Sequence, residues 1–190
     1  MKNLIKKRFQ ESIQVKEATL KGQCDNILSA AQEIIKALQR GNKVIFFGNG
    51  GSAADSQHIA AELIGRFQKE RKSLPAVALT TDTSILTALG NDYGFDVIFK
   101  RQIEGLGQRG DVAVAISTSG NSKNVLEAVL AAKKMGIITL GFTGDGGGRL
   151  ASLCDVAVTV PSSKTARIQE SHICIFHVIC ELAEDALSKK

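Results

Sequence analysis

The sequence contains no tryptophan, no C-x-x-C pair, no G-x-x-x-x-G-K-[ST] motif and no long apolar run. Each absence removes a class of function. Without tryptophan or interleaved basic and aromatic residues, single-stranded nucleic-acid binding has no stacking platform. Cys24, Cys154, Cys174 and Cys180 are too dispersed for a zinc knuckle or a thioredoxin-type motif. They read instead as small buried hydrophobes in a reducing compartment. The missing P-loop argues against that mode of nucleotide binding. No apolar stretch approaches the roughly 20 residues that span a bilayer. The first residues, MKNLIKKRFQESIQ, lack the apolar h-region of a signal peptide. The expectation is a cytoplasmic protein with no membrane and no nucleic-acid partner.

What is present suits one globular unit. The chain has 190 residues, 44% of them hydrophobic and 23% charged, with a net charge of +5. That is enough for one sizeable core and cramped for two domains. The positive charge is scattered, and its densest runs (IKKRF and KERK) are short, which fits a small anionic ligand.

The pattern then alternates. NLIKKRFQESIQVKEATLKG and NILSAAQEIIKALQRG read as two leading helices, the second stopped at Gly41. Buried strands are expected at 43–47, 75–79, 111–117, 137–143 and 155–160. Between them helices are expected up to about Arg66 and over 82–91, 96–107, 122–136 and 147–154, with a last helix over about 166–187. Five apolar strands alternating with helices imply an α/β three-layer sandwich around a parallel sheet. The chain divides into a helical extension (1–41) and an α/β core (42–190) of a single domain. The last helix is apolar around much of its circumference, so it is buried in this subunit or against a partner, and an oligomer is expected.

In such sheets ligands bind beyond the carboxyl ends of the strands. The loop after the first strand is GNGGS and the loop after the third is STSGNS. Both enter helix N-termini, where free N–H groups favour an anion. Ser117, Thr118, Ser119 and Ser122 add hydroxyls suited to a phosphate monoester. Tight turns and N-caps use the same residues; two such loops on one sheet edge favour the ligand. Gly48, Gly50 and Ala53 also satisfy a relaxed dinucleotide pattern, but the nearest acidic residue, Asp82, follows about 30 residues on, not about 20. No nucleotide cofactor is expected.

His58 and Glu62 stand i, i+4 on the helix after GNGGS, a spacing for two metal ligands, an acid–base pair or an inconsequential surface pair. The other histidines, His172 and His177, interrupt the apolar last helix with Gln169; they read as core residues or as part of a site shared with His58. Asn91 and Asp92, in LGNDYGF, are either a helix end or a clamp for a polyol.

Taken in order, GNGGSAADSQHIAAELIGR, LTTDTSILTALGNDYGF, AISTSGNSKNVLEA and ARIQESHICIFH resemble the sugar isomerase (SIS) domain family over essentially the whole chain. The resemblance is greatest to its members that isomerise sedoheptulose 7-phosphate. It implies a five-stranded flavodoxin-like sheet, a homotetramer with sites at subunit interfaces, and the first step of bacterial activated-heptose synthesis. It also implies that Asn49, Gly50, Gly51 and Ser52 contact substrate, Asn91 and Asp92 hold hydroxyls, and Ser117, Thr118, Ser119 and Ser122 grip phosphate. Glu62 and His177 would be the acid–base pair. One zinc per subunit would be held by His58, Glu62, Gln169 and His177. Gln169 and His177 are eight residues apart, roughly 12 Å along one helix, so both reach one ion most readily if subunits share the site. A non-catalytic relative that binds the replication initiator lacks counterparts of Glu62 and His177; an isomerase of another sugar phosphate is the second alternative.

Overall fold

The computed structural model describes residues 1–188. Five strands form one all-parallel sheet in the order β2-β1-β3-β4-β5. They are β1 (Val44–Gly48), β2 (Ala76–Ala78), β3 (Val112–Ser117), β4 (Ile138–Thr143) and β5 (Val156–Thr159). The helices are α1 (Lys2–Gln39), α2 (Gly51–Ile64), α3 (Thr83–Asp92), α4 (Ile98–Leu106), α5 (Lys123–Lys134), α6 (Gly148–Leu153) and α7 (Thr165–Leu187), with a 3₁₀ turn at Phe95–Val97 before α4. Residues 189–190, at the end of the expected core, lie outside the described residues.

Strand side chains alternate between two apolar layers, as the pleat requires. Val44, Phe46, Val114, Ile116 and Phe142 face α1, α2 and α7. Ile45, Phe47, Ala113 and Ala115 face α4 and α5. Both faces are therefore covered, which is why β1 and β3 are continuous apolar runs buried at every position.

One expectation is corrected. The two leading helices are a single helix, α1, of 38 residues. Gly22, the last residue of the first expected segment, keeps a negative φ and the helix continues through it. An interior glycine costs about 1 kcal/mol relative to alanine. Packing against the rest of the chain on both sides of Gly22 offsets that: Thr19 before it and Ala30, Ala31 and Ile34 after it are all buried. The cysteine expectation is also corrected in part. Cys180 is buried, but Cys24 and Cys174 are exposed. Both line an apolar groove of about 510 Å³ between α1 and α7, together with Leu20, Leu28, Val178 and Leu182. Among the described residues no helix is long and apolar enough to cross a membrane.

Candidate active site

The sheet order reverses between β1 and β3. From these neighbouring strands the chain leaves to opposite faces: α2 packs in one apolar layer and α5 in the other. Gly48 is in register with Ile116, so the GNGGS and STSGNS loops emerge side by side. This is the crevice where open parallel sheets bind ligands. The N-cap residues of α2 and α5, Gly50 and Ser122, make no side-chain cap, and helix starts of this kind favour an anion. Gly50 precedes α2 with φ +56°, a conformation costly for other residues. In the second loop, Ser117 Oγ lies 3.0 Å from Ser122 Oγ and 3.5 Å from Ser119 Oγ. Ser119 is exposed, Thr118 and Ser122 half-buried and Ser117 buried. Ser52 is buried in the first turn of α2.

The two loops are tied together by a residue the sequence did not single out. Asn49 and Asn124 exchange amide hydrogen bonds, each donating Nδ2 to the other's Oδ1 at 2.9 Å. Asn124 Oδ1 also accepts the Val125 N–H at 3.0 Å. Asn124 sits in the first turn of α5 and is 3% exposed.

A second group lies further along α2, where it packs on α7. His58 Nε2 is 3.0 Å from Glu62 Oε1. The His177 ring is 5.2 Å from that of His58, in edge contact, and stacks on Phe67 at 5.5 Å. One ligand-type atom from each of His58, Glu62 and His177 lies within 4.8 Å of the others. Two imidazoles and a carboxylate match the three protein ligands of a catalytic zinc site, so these residues fit such an ion. Gln169 does not join them. Its amide lies against Gly51, where an added Cβ would come within 2.2 Å of Nε2. Gln169 therefore stands with the anion loops and His177 with His58 and Glu62, as eight residues of helix require. His58 and Glu62 are about 10 Å and 16 Å along α2 from Gly51. Asn91 and Asp92 join neither group. They end α3, exposed and hydrogen-bonded to each other at 2.8 Å.

Asp55 was also missed. It lies three residues before His58 and seven before Glu62, on the same face of α2. Its Oδ2 is buried without a hydrogen-bond partner. Burial raises its pKa, and the neighbouring His58 offsets part of that. His172 has a different role: it is fully buried, with Nε2 3.2 Å from the Thr143 carbonyl. Burial pulls its pKa down to about 4, against the hydrogen bond to Thr143, so it is a neutral core residue.

A parallel sheet with two hydroxyl- and amide-rich anion loops at its switch point, and an imidazole–carboxylate group nearby, defines an α/β class suited to a small phosphate-bearing ligand. A family model described as the SIS domain matches residues 8–144. Phosphoheptose isomerase from Aquifex aeolicus (strain VF5) is 55% identical over 98% of this chain and 97% of its own. The same-named protein of Sulfurimonas denitrificans is 53% identical over 97% and 95%. Among solved structures, phosphoheptose isomerase from Neisseria gonorrhoeae superposes with a TM-score of 0.92 at 45% identity, covering 97% of this chain and 98% of the other. The chain belongs to the SIS domain family and, within it, to the phosphoheptose isomerases.

Proposed function

We propose that the protein is an aldose–ketose isomerase interconverting sedoheptulose 7-phosphate and D-glycero-D-manno-heptose 7-phosphate. The observation that carries this reading is the convergence of His58, Glu62 and His177 in a chain whose switch-point loops offer an uncharged phosphate cradle. The phosphate would sit between the loops, against Ser117, Thr118, Ser119 and Ser122 and the backbone of Asn49 to Ser52. Gln169, beside Gly51, would meet the sugar, and Asn91 and Asp92 would meet its hydroxyls from a neighbouring copy.

The reaction moves a proton between C1 and C2 while the oxygens exchange one. Glu62 takes the carbon-bound proton, giving a cis-enediol, and returns it to the adjacent carbon. His177 carries the oxygen-bound proton and assists ring opening. His58, Glu62 and His177 would hold a zinc ion, with Gln169 as a further donor from a neighbouring subunit. When bound, zinc would supply Lewis-acid polarisation of the sugar carbonyl.

Separation within one chain supports an assembled site. The anion loops and the reactive group lie about 10–16 Å apart along α2. The apolar groove between α1 and α7, and exposed Leu4, Ile5, Phe9 and Ile13 on α1, provide surface for subunit contacts. A homotetramer of single SIS domains, with residues 1–41 as its helical extension, accounts for both. The product would feed activated-heptose synthesis for lipopolysaccharide or other surface glycans, in the cytoplasm.

The test is to incubate the protein with sedoheptulose 7-phosphate and follow aldose formation by NMR, beside Glu62→Gln and His177→Ala. Turnover falling about 10²–10⁴-fold in each variant is expected. No turnover by the unsubstituted protein, with or without zinc, would overturn the activity, and undiminished turnover in Glu62→Gln would remove it as the base.

A further inference from the structure

The reactive group straddles α2 and α7, and a buried ion pair ties the same two helices together just beyond it. Glu184 on α7 is 2% exposed. Its carboxylate accepts the backbone N–H groups of Phe67 at 3.0 Å, Gln68 at 2.7 Å and Lys69 at 2.7 Å. Arg71, whose side chain is 4% exposed, places Nε 3.2 Å from Glu184 Oε1, an ion-pair contact off the line of a hydrogen bond. The rest of the guanidinium faces the other helix. Nη2 donates to the Glu62 carbonyl at 2.8 Å, and Nη1 to those of Leu63 at 2.8 Å and Gly65 at 3.3 Å. These carbonyls lie at the C-terminus of α2, where a cation complements the helix dipole.

The pair therefore holds the backbone of Glu62 at one end. At the other it is anchored two turns past His177, on the same face of α7. Between them runs the 67–69 segment, and its Phe67 ring lies on the His177 imidazole with 26° between planes. The imidazole's other ring neighbour is His58, in edge contact. Burying two charges is costly, and well-packed apolar residues often give equal stability. Against its burial, three backbone N–H groups and Arg71 hold the Glu184 carboxyl below the usual carboxylate range, so the charged pair is kept in place and grips both halves of the reactive group.

We propose that Arg71 and Glu184 are positioning residues that set the α2–α7 spacing and, through Phe67, the plane of the His177 ring, so that His58, Glu62 and His177 can hold one divalent cation. This rests on the reading of that group as the reactive one.

The full-length protein and three variants test it: Glu184→Gln, Phe67→Leu, and Val129→Ala as a destabilised control on the opposite face of the sheet, where Val129 is fully buried. Cobalt(II) is the probe, read by its visible spectrum and by competition with a chelator; kcat, KM and Tm are measured alongside. Glu184→Gln and Phe67→Leu are expected to weaken cobalt about tenfold or more and to lower kcat with KM nearly unchanged. Val129→Ala should lower Tm and leave cobalt affinity intact. Should Glu184→Gln not fold, Phe67→Leu decides. Wild-type cobalt affinity in a folded Glu184→Gln or in Phe67→Leu, an equal loss in Val129→Ala, or no cobalt uptake by the unsubstituted protein would overturn the proposal. Cobalt uptake without turnover would overturn the activity alone, and the cobalt affinities would still decide the positioning role.

Discussion

The Asn49–Asn124 pair gives a sharp quantitative test of how the phosphate cradle is held. Two hydrogen bonds of 2.9 Å cross between the loops; Asn124 is almost completely buried and Asn49 half-buried. Each such bond contributes about 1 kcal/mol net, and an orphaned buried amide costs about 1–3 kcal/mol more. Asn124→Ala should therefore destabilise the fold by about 2–4 kcal/mol, since it also strips the Val125 N–H of one acceptor. Asn49→Ala loses the same two inter-loop bonds and should cost about 2 kcal/mol or more. Because both single variants remove the same bonds, the double variant should cost clearly less than their sum, with a coupling of about 1–2 kcal/mol. Urea unfolding at one fixed protomer concentration measures all four corners of the cycle, the concentration being held because assembly shifts apparent stability. The same proteins should show a raised KM for the sugar phosphate, since the loops set its binding before they set its chemistry. Additive costs within about 0.3 kcal/mol would refute the reasoning, because they would mean that each amide is satisfied independently of the other.

Two further outcomes follow from single residues. His172 has an ordinary pKa of 6.5 that burial lowers to about 4, so the unfolded chain takes up its proton first as the pH falls. Its contribution to stability is intact above pH 6.5 and is lost progressively between 6.5 and 4. His172→Gln should therefore lose about 2 kcal/mol less than wild type between pH 7.5 and pH 5 in denaturant unfolding, and equal losses in the two proteins would refute the assignment. Gly51→Ala places a Cβ where the Gln169 amide now lies. That amide ends a flexible side chain and can move, so Tm should barely change while kcat/KM falls about 10–100-fold; unaltered turnover in NMR would separate Gln169 from the reaction.

These residues also show what a sequence can and cannot convey. The strands were legible because a strand covered on both faces is a short apolar run bounded by glycine or polar residues, as in KVIFFGNG and DVAVAISTSG. The observed ends fall within about a residue of those expected. The anion loops were legible because they are contiguous, and His58 with Glu62 because helical spacing is local. The continuity of α1 was not legible, since two apolar-periodic segments are a local signal and the packing of α1 on α7 is not. Asn49 and Asn124 are 75 residues apart, and the Glu184 contacts to the 67–69 segment span 115 to 117. Nothing near Asn124 or Glu184 in the chain separates them from polar residues on a solvated helix face. Asp55 differs: it continues the spacing of His58 and Glu62 by one turn, so its face could be read, and only its burial could not. Residues that would touch the substrate must cluster in loops and along single helix faces, and so leave local patterns. Residues that fix the distance between those loops and faces act across the fold by necessity, and their signal lies in the tertiary contacts themselves.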